Sequence, residues 1–423
     1  MPPTDTLSEA QVMRAYRANI WKIYLFRFFV TFGFWWPIWV LYLTDFRGLS
    51  ITEVAFLEVP FFLSIVVIQV PAGIFADRYG RKLTMIIGAV LNGGAIVAFG
   101  LAASYLAILG TYIFWAWSLA ILNSSDSAFM YDNLKALGQE ERFQEVMGRS
   151  TAIFNMAIVA SLLIGAPLAD AVGLDTAVQL SALASLGGLA VALTLKEPLR
   201  LRAPGGRPAL SSFVVDTYRL ARRDGRVPLL MVLYAFLSVG AIGTAVFFQP
   251  FLDGHGVELG NVGYLQAPAR LFGAFGALAA FWFARRAGDQ RSLYAIAAAC
   301  AGSYIVLGVW DSLAAFIMFP VISLASAASV PLVIDMINRR IPSEQRATIL
   351  SAGQLVLALT MAGFSPLIGT VADARSLQAG FFVGGVAIGV GSLLVLLALQ
   401  GVKGAIPAAR REEALAAGGD AAS

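Results

Sequence analysis

The sequence predicts an all-α polytopic membrane protein in which twelve transmembrane helices form two pseudo-symmetric six-helix bundles. Three observations predict it. The 423 residues are 58% hydrophobic and 13% charged, too few polar groups to surface a globule in water, where about a quarter of residues are charged. Twelve apolar stretches can be marked, each about 18 residues or longer, enough to cross ~30 Å of hydrocarbon as a helix. The two halves of the chain also resemble each other at a fixed spacing.

The stretches fall at 20–43, 52–75, 83–103, 105–134, 147–168 and 176–195, then at 228–251, 260–284, 292–309, 312–337, 347–370 and 378–400. The first follows the polar segment Met1–Asn19 and is crowded with aromatic residues from Phe26 to Trp39. It is expected to be one continuous helix, with Pro37 accommodated by neighbouring helices as in other membrane spans. Its length, and the polar residues before it, predict no cleavable signal peptide. The second stretch ends at the polar run Asp77–Lys82, and the third and fourth nearly touch at Ser104. Asp132 and Lys135 close the fourth, and Lys196 and Glu197 close the sixth. The domains are therefore a six-helix bundle over 1–195, a central loop over 196–227, a second bundle over 228–400 and a tail over 401–423. The loop carries the turn-forming run Ala203-Pro204-Gly205-Gly206-Arg207-Pro208 and then an expected amphipathic helix over 216–226.

Orientation follows from Lys and Arg. Of the 30 basic residues, 26 lie at or beyond one end of the spans, and only Arg47 and Arg375 lie at the other. That side is predicted to be cytoplasmic and to hold both termini. The asymmetry accounts for the net charge of +4 without a nucleic-acid partner. The preference for Arg over Lys and the compact loops suit a bacterial inner membrane.

The repeat appears when residue n is set against n+208. Asp45 meets Asp253, Gly48 meets Gly256, Leu57 meets Leu265, Pro60 meets Pro268 and Gly80 meets Gly288, while Glu58 meets Gln266. Later spans align with a drifting offset, Asp132 with Asp335 and Pro167 with Pro366.

After the second span the chain reads Gly73-Ile74-Phe75-Ala76-Asp77-Arg78-Tyr79-Gly80-Arg81-Lys82. This resembles the loop signature of the major facilitator superfamily, G-x-x-x-D-[RK]-x-G-[RK]-[RK], at every defining position. Twelve spans, the repeat and the long central loop extend the resemblance over nearly the whole chain. It implies a secondary transporter that alternates one central site between two faces. It also implies a conformational latch built on Gly73, Asp77, Arg78, Gly80 and Arg81, with Asp77 set against the start of the eleventh helix. The second copy has Arg285 where the first has Asp77, so the latch is expected on one side only. Asp132 and Asp335, at the cytoplasmic ends of their helices near Lys135 and Arg339, are expected to add gate ion pairs.

Charges inside apolar spans cost several kcal/mol unless paired or hydrated, so each is a functional candidate. Arg27 in the first span and Asp126 in the fourth lie at matching depths from the cytoplasmic face and are expected to pair. Arg270, deep in the eighth span, is the expected contact for an anionic or carbonyl group of a substrate. Glu58, just before Pro60, and Asp126 are the expected proton carriers. Trp36 in the aromatic first span, with Phe248 and Gln249 in the seventh, are expected to line a site for a flat apolar ligand. His255 is expected on a loop surface.

One histidine and one cysteine exclude a multi-histidine metal site, a disulfide framework and a thiolate cluster. No phosphate-binding Gly-Lys-[ST] loop is present. Neither metal nor cofactor is expected, and an embedded enzyme is disfavoured. The expected function is proton-coupled efflux of small amphipathic compounds by a monomer in the lipid bilayer, with proton-coupled uptake of an organic anion as the alternative. Drug–proton antiporters of the superfamily usually carry an arginine in the fourth helix and G-x-x-x-G-P in the fifth. Here the fourth has Asp126 and the fifth reads Gly165-Ala166-Pro167, which weakens the analogy with that group.

Overall fold

The computed structural model describes residues 8–198, 224–341 and 346–402. The helix expected over 216–226 falls almost wholly outside the described residues, as does most of the tail. Twelve long helices and no strand occur among the described residues: α1 (Glu9–Thr31), α2 (Ile51–Tyr79), α3 (Arg81–Leu101), α4 (Tyr105–Ala136), α5 (Phe143–Val172), α6 (Leu174–Thr194), α7 (Arg226–Gly254), α8 (Leu259–Ala287), α9 (Asp289–Val309), α10 (Met318–Asn338), α11 (Arg346–Ala374) and α12 (Leu377–Gly401). Portions of eleven of them, all except α1, are long and apolar enough to cross a membrane.

The first span differs from the single helix expected over 20–43. It starts early, because Ser8 and Gln11 form a reciprocal capping box at the head of α1, which satisfies otherwise orphaned N–H groups. It also stops early. Phe32 turns extended, with φ −65° and ψ 131°. An irregular stretch then leads to a single α-turn at Trp39–Leu41 and a π-turn at Tyr42–Phe46. Gly33 weakens a helix and Pro37 lacks an N–H and crowds the preceding turn. Six other spans keep a proline inside the helix: α2, α5, α7, α8, α10 and α11.

The repeat is visible in the backbone. Helices α2 and α8 both have 29 residues, and α3 and α9 both have 21. Gly48 and Gly256 both take φ +71°, and Gly80 and Gly288 take +119° and +85°. Only glycine enters that region without strain, so the turns themselves were duplicated.

The chain divides into two compact units. One comprises Met1–Leu49, Pro60–Arg207 and Glu258–Tyr264; the other comprises Ser50–Val59, Pro208–Val257 and Leu265–Ser423. In the first, α3 packs on α4 and α6, and α1 on α5 and α6. In the second, α9 packs on α10 and α12, and α7 on α11 and α12, which is the same neighbour pattern. Ile23, Phe26, Met85, Leu122, Phe129 and Val146 form part of the first unit's apolar core. Beside it, Asn19 donates to Asn133 at 2.8 Å and to the Lys196 carbonyl at 2.8 Å, and Asn133 donates to the Tyr16 carbonyl at 2.9 Å. Buried amides satisfied in this way fix the relative register of α1 and α4. In the second unit, Asp373 of α11 accepts from the N–H groups of Ile51 at 3.3 Å and Thr52 at 2.8 Å, capping the start of α2.

His255 is not the loop-surface residue expected. Its side chain is 15% exposed, with Nδ1 2.8 Å from the Phe251 carbonyl and Nε2 3.3 Å from Asp311.

Candidate functional site

The site is built on the break in the first span. Ending α1 at Thr31 frees backbone groups that hydrocarbon cannot satisfy. Side chains of other helices take them. The Gly33 N–H donates to Ser161 Oγ of α5 at 3.0 Å, and the Trp35 N–H donates to Ser181 Oγ of α6 at 3.1 Å. Each serine sends its own proton to a carbonyl of its own helix, Ala157 at 2.7 Å and Ala177 at 2.9 Å. Its lone pairs are therefore left to accept. On the acceptor side, Asn92 of α3 donates to the Val30 carbonyl at 3.3 Å, and the Trp36 indole donates to the Thr31 carbonyl at 2.8 Å. Gly165 lets the irregular stretch lie flat against α5: a Cβ there would collide with the Phe34 carbonyl.

The break turns its aromatic residues inward. Trp35 and Trp36 stack with centroids 4.4 Å apart, and Trp115 of α4 meets Trp35 edge-on at 4.8 Å. Beneath them is a cavity with about 610 Å³ of empty space, lined by Arg27, Thr31, Phe32, Trp35, Trp36, Asn92, Trp115, Asn123, Asp126 and Phe154 among others. A small apolar cavity adjoins it, lined by Trp35, Trp39, Tyr112 and Trp115 among others.

Two charges face the larger cavity, and they are partners. Arg27 Nη1 is 2.6 Å from Asp126 Oδ2, with the two side chains 20% and 11% exposed. The other Asp126 oxygen accepts from the Ser127 N–H. The guanidinium also lies over the Phe154 ring, 5.6 Å from its centroid. Arg27 is thus directed to a carboxylate and an aromatic face within its unit. The cavity presents aromatic faces together with one donor group and one acceptor group side by side.

The loop after α2 also takes definite form. Gly80 makes the turn into α3 at φ +119°. Its lack of a side chain leaves the head of α3 uncapped, and Glu197 fills that role, accepting from the N–H groups of Arg81 at 2.9 Å and Lys82 at 2.7 Å. Lys82 and Lys22 in turn donate to the Leu193 and Thr194 carbonyls at the end of α6, each at 2.8 Å. Arg81 reaches Asp132 at 2.9 Å and Asp77 at 4.0 Å. Asp132 is therefore held by Arg81; Lys135 instead lies 4.0 Å from Glu140. Lys135 extends beyond Asp132 along α4, whereas Arg81 starts the helix packed against it. Glu197 gave no signal as a cap, because its partners are distant in sequence.

Matches to known proteins agree with this architecture. Residues 23–365 match the family profile of the Major Facilitator Superfamily. The chain belongs to the Major Facilitator Superfamily. A stretch of 134 residues is 25% identical to an uncharacterized MFS-type transporter, YxaM, of Bacillus subtilis (strain 168), spanning 31% of this chain and 32% of that one. A bacterial homologue of the human lysosomal transporter Spinster, solved inward-facing and unoccupied, matches with TM-score 0.72 and 18% identity over 93% of this chain and 98% of the other. The nucleoside transporter NupG matches with TM-score 0.72 and 11% identity over 91% and 98%. At those identities the likeness to both structures is one of fold.

Within this superfamily member, Arg27, Asp126 and Trp36 come together in one cavity, while the remaining expected site residues lie elsewhere. Glu58 is in the stretch of α2 assigned to the second unit, 9% exposed, with no hydrogen bond or ion pair among the described residues. Arg270 is an exposed residue of α8 in the same unit. Phe248 stacks on Phe319 at 4.0 Å and Gln249 is 1% exposed, both within the packing of α7. Asp335 pairs with Arg339, which also lies 3.8 Å from Asp289. Gly73 and Arg78 lie near the end of α2, with Arg78 over the Tyr79 ring at 5.4 Å. Residues 342–345, just before α11, fall outside the described residues, so the expected partner region of Asp77 is only partly in view. Asp224, a residue the sequence did not single out, is 5% exposed, accepts from the Arg226 N–H at 3.0 Å and lies 3.6 Å from Arg340.

Proposed function

We propose that this transporter is a proton-coupled exporter of small, flat, amphipathic organic compounds that dock in the cavity under the break in the first span. The observation that carries the reading is the Arg27–Asp126 pair at 2.6 Å within a cavity walled by Trp35, Trp36 and Trp115. Stacked aromatics supply apolar contact to any planar solute, and a few placed polar groups supply orientation. Compounds that suit such a cavity also partition into bilayers and leak inward unaided, so coupling to an energy source serves a cell mainly in expelling them. Proton coupling is assigned to Glu58 and Asp126. For Glu58, buried with no hydrogen bond or ion pair among the described residues, the ion is costly in hydrocarbon and taking up a proton removes that cost; Asp126 takes up a proton when its pair with Arg27 opens. Uptake of an organic anion is less well supported, because Asp126 already neutralises Arg27.

The test is proteoliposomes loaded with a pH-sensitive dye and challenged with a panel of planar amphipathic compounds. Export by antiport requires at least one compound to drive protons opposite to its own movement, and requires Trp36→Ala to weaken the response. Protons moving with the solute would establish symport in place of export.

A further inference from the structure

The Arg27–Asp126 pair presents a donor and an acceptor side by side in one cavity. We propose that the cavity selects uncharged aromatic solutes bearing an adjacent hydrogen-bond acceptor and donor, of the carboxamide type, and rejects aromatic anions and cations. The inference rests on the reading that this cavity holds the cargo, and it assigns the chemical class.

The argument compares what each class of solute does to the pair. An aromatic carboxylate that accepts from Arg27 brings a second anion beside Asp126, which is 8% exposed, so that one guanidinium must compensate two negative charges. An aromatic amine that donates to Asp126 likewise brings a second cation beside Arg27. An uncompensated charge in a partly buried site costs far more than a closed pair contributes. A purely apolar ring disturbs nothing, but gains only stacking. A primary carboxamide avoids both costs. Its carbonyl accepts from the guanidinium, which has five N–H donors, while its N–H donates to the carboxylate, which has about four acceptor sites. The bonds given to Asp126 from outside its own residue are from Arg27 and from the Ser127 N–H, so capacity remains while the ion pair stays closed. The ring then lies among Trp35, Trp36 and Trp115.

Four indoles of nearly equal size separate these cases. They are indole-3-acetamide, the isosteric anion indole-3-acetate, the cation tryptamine and indole itself. Binding to the purified full-length transporter in nanodiscs is measured by calorimetry and by thermal stabilisation. The expected result is that the acetamide binds roughly ten-fold or more tightly than the acetate or tryptamine. Two variants of similar volume then reverse the preference. Asp126→Asn leaves Arg27 uncompensated and shifts preference to the acetate; Arg27→Gln leaves Asp126 and shifts it to tryptamine. Ligand-free melts of both variants check that the fold is retained. Wild type preferring the acetate or tryptamine overturns the inference, as does an order of affinity that neither variant changes. Those results leave export untouched, since the proteoliposome assay reads proton direction and not charge class. Failure of all four indoles to bind overturns the inference together with the cavity as cargo site.

Discussion

Arg27 and Asp126 show how a single pair sets both stability and function. Each is an ion placed in an apolar span, and each is tolerated because the other lies 2.6 Å away. Arg27→Ala is expected to destabilise the protein by about 3 kcal/mol, at the low end for a broken buried pair because the cavity admits some water. Arg27→Met with Asp126→Leu should recover most of that loss, since a well-packed apolar pair of similar volume needs no compensation. Thermal unfolding in detergent reads both. Losses in the double variant that equal the sum of the single losses would show that the charges do not depend on each other. Transport should remain lost in every one of these variants, because packing is restored without restoring the polar contacts. This pair was legible in the sequence, as two ions at matching depths in otherwise apolar stretches. Glu197 and Asp224 were not legible. Both sit at the ends of spans, where charged residues are ordinary, and their roles depend on N–H groups supplied by the fold: those of Arg81 and Lys82 for Glu197 and that of Arg226 for Asp224.

At the scale of the element, the decisive feature is a helix that stops inside its own apolar run. Residues 20–43 read as one span because hydropathy averages over Gly33 and Pro37, and because prolines elsewhere, such as Pro60 and Pro167, stay helical. What distinguishes Pro37 is distant in sequence: Ser161 and Ser181 accept from the freed N–H groups of Gly33 and Trp35, and Gly165 leaves room for the Phe34 carbonyl. The Gly165-Ala166-Pro167 run, unremarkable as a motif, thus has a steric purpose. Ser161→Ala should leave the Gly33 N–H unsatisfied and cost about 1–3 kcal/mol. Because Trp35 and Trp36 follow directly, the same change should raise the KM for cargo more than it lowers the maximal rate. Ser161→Cys keeps a weak acceptor and should fall between. Flux kinetics and melting temperature measured on the same preparations check this. A variant that melts as wild type and transports with unchanged KM would mean that the break does not hold the aromatic wall in place.

At the scale of the whole molecule, the chain is a duplication that has kept its geometry and diverged in its charges. The turns at Gly48 and Gly256 share one backbone angle, and α2 and α8 share one length. Yet Arg81 heads α3 where Asp289 heads α9, and their partners are exchanged to match: Asp132 at 2.9 Å and Arg339 at 3.8 Å. The same divergence separates Glu58 of α2 from Gln266 of α8. These two positions are equivalent in the repeat, and glutamine differs from glutamate mainly in being unable to lose its charge to a proton or regain it. Glu58→Gln therefore makes the first copy resemble the second at one atom-for-atom replacement. The variant should fold, bind cargo with wild-type affinity and exchange labelled for unlabelled cargo at a normal rate, since exchange needs only the loaded carrier to reorient. It should fail to accumulate cargo against a gradient when a pH difference is imposed, because the group that carries the proton is gone. Counterflow and pH-driven accumulation in one proteoliposome preparation separate the two activities. Accumulation that survives the substitution would move the coupling to Asp126 and Arg27, and loss of counterflow as well would make Glu58 a structural requirement of the carrier.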